Sequence, residues 1–206
     1  MNITSLAWDT PQMKLFRHFA AGFTLLLALL VIARPASAAI TFDNSSSSAA
    51  TPGASSIKWI HVIGSGQDRA LVVTVAIDDF FILNGDIATV KFNNVVMHEA
   101  PNSHAASLGL RILETQIFYL NGDELPPAGS YEVSVSFSRK VDVAAGGAVS
   151  LFGVQPGAPV AAATNVKPLS LGAIRTSVNA PANSWVVDIV ASANDVALSP
   201  GQGQLS

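Results

Sequence analysis

A two-residue repeat of apolar side chains constrains this chain more than any other feature. It is cleanest across residues 130–137, where Tyr131, Val133, Val135 and Phe137 alternate with Glu132, Ser134 and Ser136. Successive side chains of a strand point to opposite faces, so the pattern predicts a half-buried antiparallel strand. Residues 70–77 place Leu71, Val73 and Val75 on one face and Val72, Thr74 and Ala76 on the other. Both faces are apolar, which predicts a strand inside a sheet rather than at its edge. Residues 57–63, 88–92, 95–98, 148–154 and 185–190 read as further strands. Asn93-Asn94 reads as a two-residue hairpin turn, because asparagine tolerates positive φ. Residues 110–120 also alternate; their Leu, Arg and Glu favour helix, and the β-branched and aromatic second half decides for strand. After residue 56 no amphipathic stretch is long enough for a stable helix. The expected fold is therefore all-β, an antiparallel β-sandwich.

The N-terminus has a different character. Lys14 and Arg17 precede an apolar run over residues 19–33, and Arg34-Pro35-Ala36-Ser37-Ala38-Ala39 follows. A cationic patch, a short apolar core and small residues at the −3 and −1 positions make a secretory signal peptide. The run has 15 residues, short of the roughly 20 that span a bilayer. Export, cleavage between Ala38 and Ala39, and a secreted, extracellular or periplasmic location are the expectations. No membrane contact is expected after cleavage. Met13 stands at the head of this pattern, so residues 1–12 read as an over-extended start.

Residues 1–38 hold Lys14, Arg17, Arg34 and Asp9. Of the chain's 11 basic and 14 acidic side chains, 8 and 13 thus lie beyond residue 38, a net charge of −5. An acidic surface repels phosphate backbones and argues against nucleic acid as a partner. With no cysteine, disulfides and thiolate metal sites are excluded, and stability must come from the apolar core. Residues 39–56 combine one short strand, residues 40–42, with the Ser/Ala-rich stretch 44–56, which reads as a flexible linker. The sandwich domain is then residues 57–206. Its last residues, 200–206, are turn-like, and the expectation is that the domain lacks its final strand or strands.

Several segments carry a resemblance. They are Trp59-Ile60-His61, residues 64–73 (GSGQDRALVV), residues 88–95 (ATVKFNNV), Phe118-Tyr119-Leu120, residues 127–133 (PAGSYEV) and residues 185–188 (WVVD). In this order they resemble a β-sandwich domain type, jelly-roll or immunoglobulin-like, of secreted bacterial proteins, often repeated or fused to other extracellular modules. The hairpin turn of that pattern is usually Gly-Gly where this chain has Asn93-Asn94. The resemblance implies a fold and a compartment, and no enzymatic activity.

Candidate sites are sparse. Trp59 and His61 share a strand face, and with Tyr119 and Trp185 they are the candidates for a ligand-stacking platform, since indole faces stack on sugars and cations. Beside that stands the plainer reading that rings in alternating strands point inward. Asp78 and Asp79 with Asn84 and Asp86 form an acidic segment that calcium could use, although the ion wants six to eight oxygens. His98, Glu99 and His104 invite a zinc reading, but the two histidines are spaced i and i+6 and Pro101 interrupts any helix between them. No Gly-x-Ser-x-Gly elbow occurs. The expected function is a non-catalytic surface, adhesion or accessory module with no required cofactor, whose partners are glycans or other surface proteins. A carbohydrate-binding module is the alternative, and a metal-dependent hydrolase the weaker one. The sequence leaves the oligomeric state open.

Overall fold

A computed structural model describes residues 39–80, 87–107, 111–167 and 174–192. The chain divides after Ser37, and every described residue belongs to the unit Ala38–Ser206. Its described residues are all-β and antiparallel, with nine strands in one connected sheet.

The spine is β9, Gly129–Phe152, a strand of 24 residues. Along one of its edges run β1 (Thr41–Ser47) and β2 (Thr51–Ile63), nearly end to end. Thr41 faces Phe152, Ser47 faces Gly147, Thr51 faces Ala144 and Ile63 faces Gly129. Ser48 N–H donates to the Gly146 carbonyl at 2.9 Å and bridges the gap between them. The opposite edge of β9 is shared. β4 (Ile87–Phe92) pairs with its first half, and β3 (Ala70–Phe80) with its second.

β3 pairs along its whole length with β8 (Arg111–Asn121). β4 turns through Asn93 and Asn94, at φ +47° and +66°, into β5 (Val95–Val96). Met97 continues the chain into β6 (His98–Glu99), which pairs with β8, as does β7 (Ala105–Ala106) further along. Hydrogen bonding runs from β5 through β4, β9, β3 and β8 to β6, and the chain itself joins the two ends, β5 and β6, through Met97. The sheet curls almost into a barrel.

The curl brings two inner surfaces together. Ile57, Trp59, Ile63, Phe92, Val133 and Val135 come from one, and Leu71, Val73, Val75, Ile77, Phe118 and Leu120 from the other; all are buried in a single apolar cluster. β9 contributes to both because it bends. Ser56 faces Ser136 while Ala54 faces Val141, so β9 carries extra residues at this point, and Ser138, Arg139 and Lys140 bulge into solvent. A bulge of this kind sharpens the local twist and lets one strand serve both surfaces.

Three local expectations are corrected. Residues 44–56 are not a linker: most of them lie in β1 and β2. Backbone pairing to β9 decides their state, and outward strand positions accept serine freely. Residues 148–154 are not a separate strand; as far as Phe152 they are the end of β9. Residues 185–190 belong to no strand among the described residues, and strand-forming side chains alone do not make a strand without a neighbour for the backbone.

Candidate functional site

β2 alternates strictly, so Ile57, Trp59, His61 and Ile63 all point inward. His61 is completely buried. Its Nδ1 lies 2.8 Å from Ser46 Oγ, and the Trp59 indole N–H donates to the same oxygen at 3.1 Å. Nε2 is buried without a hydrogen-bond partner, and the Phe92 ring stands edge-on at 6.3 Å. Burial pushes the His61 pKa below the ordinary histidine value, and the charge of Asp43 opposes that shift more weakly. Asp43 itself accepts from Gly64 N–H at 2.8 Å and Ser150 Oγ at 2.7 Å. Serine, histidine and aspartate thus meet here, but the carboxylate does not bond the imidazole and the ring has no access to solvent. Trp59 and His61, expected as part of a stacking platform, are core residues.

The two remaining platform residues lie elsewhere. Tyr119 is half-buried on the outward side of β8, its ring 5.4 Å from that of His98. Trp185 is 37% exposed and donates its indole N–H to the Ile40 carbonyl at 3.1 Å. The four side chains expected to form one platform therefore do not share a face.

Asp78 and Asp79 are neighbours on β3 and so point to opposite sides of the sheet. Asp78 faces outward to Arg111, whose Nη2 lies 2.8 Å away; that hydrogen bond raises the Arg111 pKa. Asp79 faces inward, nearly buried, and takes Arg139 Nη2 at 2.9 Å and the Phe80 amide at 2.6 Å. Two carboxylates directed apart cannot grip one ion, so this pair is not half of a calcium cage. Asn84 and Asp86 fall outside the described residues.

The histidines are separated too. His98 sits opposite Tyr119 and its Nε2 lies 2.5 Å from Glu124, whose pKa it lowers through that hydrogen bond. His104 precedes Ala105, which sits opposite Thr115, and its Nε2 lies 3.2 Å from the fully buried Glu114. Each imidazole is turned to a different carboxylate, His98 to Glu124 and His104 to Glu114. Among the described residues no group of three or more His, Asp or Glu side chains is placed to hold a metal.

A site that the sequence did not reveal lies on the outer face of β2, β9 and β4. Register aligns their outward residues in rows. Ser56, Ser136 and Thr89 form one row, and Lys58, Ser134 and Lys91 the next. A shallow groove of about 150 Å³ opens over these six residues. Lys58 meets Glu132 at 2.8 Å on the rim. The three segments are 33 to 76 residues apart in pairs at their lysines and serine, so only the pairing of β2 and β4 with β9 unites them. Each alone reads as the solvated side of a strand. No protein-family model, curated protein or solved structure matches the chain.

Proposed function

We propose that the protein is an exported, non-catalytic β-sandwich module of a surface or accessory kind, which holds a glycan or another surface protein and transforms neither. One observation carries the reading. Among the described residues, the histidines and aspartates named as candidates are held by neighbours within the fold: His61 by Ser46, Asp79 by Arg139, Asp78 by Arg111, and His98 by Glu124. A general base or nucleophile must reach its substrate, and the buried imidazole of His61 has no route to one. The signal-like residues 13–39 and the resemblance to secreted bacterial sandwich domains favour a location outside the cytoplasm.

Two measurements test the proposal. N-terminal sequencing of the processed protein is expected to begin at Ala39; retention of residues 13–38 in the mature product would overturn export by cleavage. Hydrolase assays on ester, glycoside and peptide substrates, with and without zinc, are expected to show no turnover. A turnover abolished by His98→Ala, Glu99→Gln or His104→Ala would establish the metal-dependent reading instead.

A further inference from the structure

The geometry points to a binding subsite for the carboxylate or sulfate group of an acidic polysaccharide on the outer face of β2, β9 and β4. Lys58 and Lys91 stand on the two strands that flank Ser134. Adjacent strands lie about 4.8 Å apart, so the two lysine backbones are roughly 10 Å from each other. A lysine side chain extends far enough for both ammonium groups to converge on one anionic group above Ser134. Among the described residues Lys91 makes no ion pair, while Lys58 is shared with the exposed Glu132. One cation is thus free for a ligand and the other is held by a carboxylate that a ligand can replace.

The neighbouring row selects the rest of the ligand. Ser56, Ser136 and Thr89 present three hydroxyls side by side, with Ser136 Oγ 3.4 Å from the Thr89 carbonyl. Hydroxyls donate and accept, so they suit a polyhydroxylated ring. No aromatic side chain lines the groove, so stacking does not select a neutral sugar here. Cations beside hydroxyls match a sugar that carries a negative charge. Beyond residue 38 the chain as a whole, this face included, is acidic, with a net charge of −5. It does not draw polyanions over long distances, and recognition rests on contacts within the groove.

This inference rests on the reading of the protein as a binding module and names the class of its ligand. Titration calorimetry with the purified protein tests it, using a polyuronate, a sulfated polysaccharide, a neutral glucan, duplex DNA, an acidic peptide and inorganic sulfate as separate probes. One of the two acidic polysaccharides is expected to bind, with affinity falling as salt rises. Lys58→Ala/Lys91→Ala is expected to weaken binding by roughly tenfold or more, the scale of losing charge-assisted hydrogen bonds. Glu132→Gln releases Lys58 and is expected to tighten it. All three positions face outward, and an unchanged melting temperature confirms that the variants fold. The subsite is overturned if the double variant binds as the parent does. It is also overturned if the neutral glucan, DNA or the acidic peptide binds equally well, or if only inorganic sulfate binds. Depolymerisation of a bound polysaccharide would defeat the non-catalytic reading while leaving the subsite standing.

Discussion

His61 is the residue whose chemistry departs furthest from what its sequence position advertises. Its imidazole is buried, and that burial holds its pKa below the ordinary value. The unfolded chain takes up a proton near pH 6.5, whereas the folded protein takes it only at a lower pH. The sign follows: stability is fully present above about pH 6.5 and declines as pH falls from there through the folded pKa, at no more than about 1.4 kcal/mol per pH unit for one proton. Urea unfolding followed between pH 7.5 and 5 is expected to show this decline, and His61→Leu is expected to flatten it. The Glu124 shift, caused by His98, acts in a separate and more acidic window. Gly146 gives a second residue-scale prediction. A Cβ built there would come within 2.6 Å of Trp59 Cη2 and 2.9 Å of Cζ3. The indole is hemmed in by the core and tied to Ser46. Gly146→Ala is therefore expected to cost about 1–3 kcal/mol in the same denaturation assay.

At the scale of elements, what was legible in the sequence was what periodicity can encode. The alternation of Tyr131, Val133, Val135 and Phe137 foretold the first half of β9, and the doubly apolar run from Leu71 to Val75 foretold a strand flanked on both sides. Asn93-Asn94 foretold a hairpin and adopts positive φ at both residues. The middle of β9, residues 138–147, and β1 beyond Phe42 were illegible because their residues are mostly small or polar: Ala144, Ala145, Gly146 and Gly147 in β9, and Asn44, Ser45, Ser46 and Ser47 in β1, carry little hydrophobic contrast. Residues 185–190 show the converse failure, a run of strand-forming residues that pairs with no strand among the described residues. The lysine groove escaped for a third reason, since register between distant segments leaves no trace in local pattern. Ser46 shows how much a low-complexity stretch can contribute. Its hydroxyl is the shared partner of Trp59 Nε1 and His61 Nδ1, and so links β1 to β2. Ser46→Ala strands two buried polar groups and is expected to cost about 1–3 kcal/mol. In the His61→Leu background the same substitution is expected to cost less, because one of the two groups is already gone.

For the molecule as a whole, the ribbon of β1 and β2 against β9 decides whether residues 39–56 are dispensable. A flexible linker could be removed without effect on the rest. Here removal strips the partner from one edge of the second half of β9, from Gly147 to Phe152 and from Val141 to Ala144. It also deletes Asp43, which holds Gly64 and Ser150, and Ser46, which satisfies the buried indole and imidazole. A bare strand edge offers its backbone groups to other chains. A variant lacking residues 39–56 is therefore expected to lose its single cooperative unfolding transition and to scatter light at concentrations where the parent stays clear. An unchanged melting temperature and clear solution would instead mean that the barrel closes without this ribbon, and that β9 holds its bend through β3 and β4 alone.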